Sequence, residues 1–268
     1  MAASEIKREH HAAFVRALVA TNVKAAAALR GAFALQIVFM MLNNVTFFVF
    51  WWALMRRVPN LRGWELGDIQ VLFGVVAAGF GLAVTFAGGV WELGRIIDEG
   101  ELDTLLTQPK PVLVHALGLR LKASGFGDVL SGVAFITLSD RVAWQALPLV
   151  VVAIVASAVI FVACGVVFFS LAFWLGRIDT LARQLWELTI TFSLYPEPLF
   201  GGMLRLALFT VLPAGFVGYV PARLVRTGSA VDALVLSAAA VAYLTFAATL
   251  FSRGLKRYSS GSRFGTFG

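Results

Sequence analysis

One cysteine and three histidines in 268 residues leave little material for redox or metal chemistry. Cys164 stands alone inside an apolar run, which excludes a disulfide framework and a cysteine-based metal cluster. His10 and His11 are adjacent, so they cannot share a helix face as an i, i+4 pair does, and no metal site is expected from them or from His115. The sequence has no G-x-x-x-x-G-K-[ST] run, and therefore no phosphate loop of that type. "GFGD" (Gly125–Asp128) contains a G-x-G, but no strand pattern precedes it and no third glycine follows. Charge is also scarce, at 14% of residues against 59% hydrophobic, a balance that a soluble domain of this length does not have.

What the chain does have is long apolar runs, about six of them near the roughly 20 residues that cross a bilayer. The first spans Gly31–Met55 and is interrupted by Gln36, Asn43 and Asn44. The second, Ile69–Trp91, carries Gly74, Ala78, Gly79, Gly81, Gly88 and Gly89 at spacings that let helices approach closely. A shorter run, Ala123–Leu138, includes Asp128, and the fourth, Trp144–Leu175, has no charge. Between Ile178 and Leu194, Ile178, Leu181, Leu185, Leu188 and Phe192 recur at helical steps opposite Arg183 and Glu187. That pattern predicts an amphipathic helix in the interface or against protein rather than a span. The fifth span is expected at Leu199–Val220, interrupted by Pro213, and the sixth at Ala230–Phe251. The alternative places the fifth crossing earlier and makes Leu199–Val220 a broken re-entrant pair.

Lysine and arginine set the orientation. With the N-terminus cytoplasmic, the outer connections hold Arg56, Arg57, Arg62, Arg141, Arg223 and Arg226, leaving sixteen of the 22 basic residues inside. This bias accounts for the net charge of +7 without nucleic acid, and it places both termini and Gly94–Pro111 in the cytoplasm. The first 30 residues are polar and mildly amphipathic rather than a secretory signal. Residues 5–29 read as a helix along the inner leaflet, with a frayed soluble tail as the alternative. The Gly- and Ser-rich 259–268 is expected to be disordered.

Two intramembrane features ask for partners. Asp128 must face protein, water or a counter-charge; it could serve a proton relay or a substrate, or be held near the inner boundary beside Arg120 and Lys122. Asn43 and Asn44 could bond between helices or line a polar path. Together with Gly79 and Gly88 these are the candidate conduit or helix-packing positions.

"GRIIDEGELDTLLTQPKP" (Gly94–Pro111) is the most polar passage between two apolar runs. Asp98 and Glu101 form a D-x-x-E pattern that could cap a short helix, and Pro109 would stop it. Leu102, Leu105 and Leu106 share a face at i, i+3 and i+4, which water cannot satisfy. From pattern alone that face either lies on the membrane or enters a groove on another protein.

"GELDTLLTQPKP" (Gly100–Pro111) resembles the glycine, acid, leucine and proline segment of the ATP-binding-cassette type-2 permeases, in particular their short six-span branch of drug- and viologen-exporter-like members. "YPEPLFGGMLRLALFTVLPAGFVGYVPARLV" (Tyr195–Val225) is similar to the same branch, with Pro213, Phe216, Tyr219 and Pro221 in its Pro, aromatic and Tyr-x-Pro positions. The resemblance covers nearly the whole chain in span count and order.

It implies an all-α integral membrane protein: one permease domain over 1–268, six transmembrane helices, an amphipathic N-terminal helix and a cytoplasmic coupling helix within 94–111. It further implies a half-permease of an exporter in the cell inner (plasma) membrane, with no catalytic residues or cofactor of its own. Two ATPase subunits would bind ATP and Mg, and a second permease, identical or homologous, would complete the path. Carried over by motif, Glu99, Gly100, Glu101, Leu102, Asp103, Leu105, Leu106 and Pro109 form the docking element, with the leucines filling the groove and Glu101 and Asp103 meeting basic residues. The first two spans are the natural places for a subunit interface. Cargo is expected to be amphipathic or lipophilic. The rival readings are an ion-gradient-driven secondary transporter, which would want paired intramembrane acids, and a non-transporting membrane scaffold.

Overall fold

The computed structural model describes residue 14 and residues 16–18, 20–24 and 28–259. Most of the expected N-terminal helix at 5–29 and nearly all of the 259–268 tail lie outside those residues. The described chain is a helical bundle: α1 (Arg30–Arg57), α2 (Leu66–Phe86), α3 (Leu93–Asp98), α4 (Leu102–Leu106), α5 (Val112–Gly118), α6 (Ser124–Leu138), α7 (Leu147–Ser170), α8 (Ala172–Leu175), α9 (Asp179–Ser193), α10 (Gly202–Thr210), α11 (Val220–Thr227) and α12 (Ala230–Arg257). Helices suit a bilayer because each satisfies its own backbone polar groups where water is absent. Four segments are long and apolar enough to cross: α1, α2, Trp144–Leu175 and α12, or five crossings if α10 and the helix after it count as one bent span. α6 is apolar but has only 15 residues.

α2 occupies the centre. Its apolar window is 78% buried within the chain, against 0% for α1 and 17% for α12. Glycine makes that position possible. A Cβ at Gly132 would stand 2.5 Å from the Gly74 carbonyl and 2.6 Å from the Ala78 nitrogen, and one at Gly81 would stand 2.6 Å from the Gly125 carbonyl. The α2 and α6 backbones therefore touch, the usual source of helix association where no hydrophobic effect operates between helices. α2 ends at Phe86 rather than Trp91, and Gly88 and Gly89 lie in a 3-10 turn (Gly88–Glu92) against the backbone of Arg120 and Ala116. Gly79 packs on Ser157 of α7, so both it and Gly88 are engaged in packing inside the chain.

α9 lies against the rest of the chain, one of the two positions its pattern allowed, but its buried face is not the expected apolar one. It starts beside the α3 end of the bundle, where Arg183 donates to the Trp91 carbonyl at 2.8 Å. It finishes at the opposite end, where the Tyr195 ring lies 5.5 Å from Trp51 and Arg62 donates to the Pro198 carbonyl at 2.7 Å. Its buried face is Ala182, Trp186, Thr189 and Ser193, whereas Leu181 and Leu188 are exposed. The inversion fits a helix whose outward neighbours are apolar. Thr189 and Ser193 satisfy their hydroxyls by donating to the carbonyls of Leu185 and Thr189, so these two polar side chains can be buried.

The expected crossing at Leu199–Val220 is a bent hairpin, as in the alternative placement. α10 and the helical stretch Gly215–Thr227 meet at 74°, with Pro213 between them. The hairpin reaches the middle of α7, where Ser157 donates to the Val217 carbonyl at 2.7 Å. It then returns to the end it left: Arg205 pairs with Glu197 at 2.6 Å, Arg226 with the buried Asp68 at 2.9 Å, and Arg223 with Asp232 at 2.8 Å. Gly228, at φ 63°, closes α11 in the left-handed conformation that glycine adopts without strain. Arg205 thus sits at the same end as Arg62 and Arg223, not at the end expected from the sequence.

The glycine contact gives a direct test. Gly132→Val should destabilise the detergent-solubilised protein by about 1–3 kcal/mol, the cost of overpacking a closed contact. Gly31→Ala, where nothing lies within 4 Å of the added carbon, should leave the unfolding midpoint unchanged or slightly raised. Equal behaviour of the two variants in thermal unfolding would refute the close packing.

Candidate functional site

The polar passage Gly94–Pro111 folds back on the bundle in three short pieces. Gly100, at φ 78°, turns the chain between α3 and α4. This reversal separates Asp98 from Glu101, so the D-x-x-E pattern does not form a cap: Asp98 faces Arg177 at 3.8 Å, and Glu101 turns to Arg95. Arg95 gathers three acids, Glu101 at 2.5 Å, Glu99 at 2.9 Å and Glu92 at 3.1 Å. These hydrogen bonds, the one to Glu101 foremost, raise the guanidinium pKa above its ordinary value. Arg95 thereby pins α3, the turn and the start of α4 together, and Glu101 meets a base of its own chain.

The leucine face divides. Leu102 is 0% and Leu105 6% exposed, and both belong to the core cluster that includes Ile96, Ile97 and Ala116. They support the segment from beneath, buried in the chain's own core, whereas the resemblance implied that they fill a partner's groove. Leu106 is 44% exposed. It continues into an exposed rim of Thr107, Gln108, Pro109, Lys110 and Pro111. Asp103 lies on the half-buried side near Tyr258, whose phenol is pushed up to about 12 by burial and the neighbouring carboxyl group. The side of Gly100 also faces the Tyr258 hydroxyl, so the end of α12 rests against this turn.

Behind the segment, an aromatic joint ties it to α9. Trp91 stacks on Trp186 with ring centres 4.2 Å apart and planes at 26°. The Lys122 ammonium sits 4.2 Å from the Trp91 ring, and the Arg183 guanidinium 5.6 Å from it. Burial, and then Arg183, lower the Lys122 pKa. This joint was not foreseen from the sequence; the four-residue spacing of Ala182 and Trp186 was its only available signal.

A second feature lies deeper. A cavity of about 450 Å³ opens between α1 and α9 over a floor of α2 and α6, lined among others by Asn43, Asn44, Phe47, Phe50, Phe80 and Asp128. Asp128 is 3% exposed and its Oδ1 accepts from the Asn44 side chain at 2.8 Å. Arg120 and Lys122, expected beside it, are directed to Glu92 and Trp91 instead. Of the conduit candidates, the structure brings together Asn43, Asn44 and Asp128 and places Gly79 and Gly88 elsewhere.

A bundle with four or five helices long and apolar enough to cross a bilayer, and a braced polar segment at one end, defines a helical membrane protein. The profile of the family described as ABC-2 family transporter protein matches residues 41–262, and the chain belongs to that family. It is accordingly a membrane transport component and not itself the ATPase. No curated protein and no solved structure matches the chain.

The divided leucine face predicts divided effects. Leu102→Asp buries an unpaired charge and should cost about 3–5 kcal/mol, releasing Gly94–Pro111 to limited proteolysis. Leu106→Asp should change stability by no more than about 0.5 kcal/mol and leave the cleavage pattern as in wild type.

Proposed function

We propose that this chain is the membrane half of an ATP-driven exporter, and that Leu106 with the rim Thr107–Pro111 is where a separate ATPase subunit docks. The observation that carries this reading is an exposed apolar residue on a short helix whose other face is locked into the bundle. Such an element passes on a push instead of absorbing it, because its buried leucines and the Arg95 cluster leave it no independent motion. Glu99, Gly100 and Glu101 shape and brace the docking element, Leu102 and Leu105 anchor it, and Asp103 steadies it from the α12 side.

In this reading the six crossings are α1, α2, α6, Trp144–Leu175, α9 and α12, and the α10–α11 hairpin is re-entrant from the outer side. Fifteen of 22 basic residues then lie inside, which supports cytoplasmic termini and a multi-pass place in the inner (plasma) membrane. Two ATPases would close around ATP and Mg and push on two permease subunits, the second identical or homologous. The driving free energy enters by contact, since a partner shifts the two-state balance only through its differential affinity for the two states. The resemblance of the two quoted motifs to exporter-like permeases supports outward movement of an amphipathic or lipophilic cargo. The whole of 1–268 acts as one permease domain.

Affinity purification in gentle detergent, with mass spectrometry of bound proteins, tests this. An ATPase subunit should accompany wild type and fall at least about tenfold with Leu106→Asp, roughly the effect of losing an anchor at the centre of an interface. Equal recovery with both chains would overturn the docking assignment. Absence of any ATPase from the wild-type sample would overturn the exporter reading itself.

A further inference from the structure

We infer that the exposed face of α12 near its C-terminal end is a binding site for an anionic phospholipid, held as a structural lipid and not as cargo. The inference goes beyond the docking reading and needs only that α12 crosses a bilayer. Residues 233–252 carry no charge, and as a helix they measure about 30 Å, the thickness of the hydrocarbon core. Asp232 and Arg253 bound this stretch, so Arg253 and Lys256 stand at the depth of lipid headgroups.

Three observations point to a phosphate there. First, these two cations lack acids. Arg95, Arg183, Arg205, Arg223 and Arg226 each pair with an acid of the chain. Arg253 and Lys256 are exposed and pair with none among the described residues. Second, a groove of about 510 Å³ runs from them along α12, floored by Thr245, Ala248, Thr249 and Ser252. These small side chains recur at three- and four-residue steps on one face, leaving a trough that an acyl chain can follow away from its headgroup. Third, Thr46, Thr189, Thr210 and Thr227 each donate to the carbonyl four residues earlier, as does Ser252. Thr249, one turn deeper than Arg253, makes no hydrogen bond among the described residues. A hydroxyl facing hydrocarbon without a partner is costly, and the ester oxygens of a lipid lie at its depth.

The charges select the occupant. A second copy related by a two-fold axis along the membrane normal would bring equal depths together, setting Arg253 and Lys256 against their own counterparts. A zwitterionic headgroup would present its own ammonium to them. A headgroup of net negative charge meets neither penalty.

The probe is dioleoylphosphatidylglycerol, titrated into the full-length detergent-solubilised chain and read by native mass spectrometry beside dioleoylphosphatidylcholine. The anionic lipid should bind about tenfold more tightly or better, and excess inorganic phosphate should not displace it. Arg253→Gln with Lys256→Gln, both at exposed positions, should weaken it about tenfold or more. Arg56→Gln with Arg57→Gln removes the same charge from the end of α1, away from the groove, and should change the affinity by less than about twofold. Ala248→Leu fills the groove with a good helix former and should weaken the lipid several-fold. Equal affinity for the two lipids, displacement by phosphate, equal losses in the two double variants, or unchanged affinity in Ala248→Leu would overturn the inference. Disulfide formation between copies of Ala248→Cys in native membranes would make this face a contact of the chain with itself, and would overturn it as well.

Discussion

The backbone contact between α2 and α6 is the constraint on which the other parts depend. Gly81 meets Gly125, and Gly74 meets Gly132, at distances that leave no room for a side chain. The same contact sets Asp128, because a carbon added at Gly81 would also stand 2.8 Å from its Cβ. Asp128 can therefore reach Asn44 on α1 only if α2 stays smooth on that side. In lipid, where apolar surfaces gain nothing by meeting each other rather than acyl chains, such close van der Waals fit is what holds helices in register.

From that frame a mechanical line runs through the chain. The exposed rim at Leu106 and 107–111 is joined through Leu102, Leu105 and Arg95 to α3, and α3 follows the turn that carries Trp91. Trp91 is stacked on Trp186 and receives Arg183 at its carbonyl, both from α9. At its far end α9 holds the hairpin: the Tyr219 hydroxyl donates to the Phe192 carbonyl at 2.7 Å, and Gly218 lies against the Ser193 carbonyl. The hairpin is clamped to the start of α2 by Arg226 on Asp68, and Arg141, which follows α6, pairs with the same Asp68 and with Glu65. The exposed rim thus has a packed route to the opposite end, along the same helix that walls the cavity.

Particular residues show how far the sequence could be read. The apolar runs at Gly31–Met55, Trp144–Leu175 and Ala230–Phe251 are visible directly, because a bilayer demands length and apolarity and both are properties of the linear chain. The α9 helix was also visible as a helix, but its role was inverted. Periodicity reports that one face is apolar; it does not report whether the apolar side meets lipid or protein, and in a membrane the buried face can be the polar one. The leucines of 102–106 misled for a related reason. All three have the right spacing to face a partner, and only burial in the core cluster that includes Ile96, Ile97 and Ala116 assigned two of them to the chain's own core.

What the sequence by itself determined is the class of protein, its helical make-up, its family motifs and the sense of its charge asymmetry, since each follows from composition and local order. Only the tertiary structure decided that 197–228 leaves and re-enters the same end, that Glu101 is satisfied by Arg95, and that Asp128 shares a cavity with Asn44 and a ring of aromatic side chains. Those facts depend on residues 6 to 158 positions apart in the chain, Asp68 and Arg226 being the most distant pair. Distances of that kind are set by how helices pack, and no local pattern encodes them.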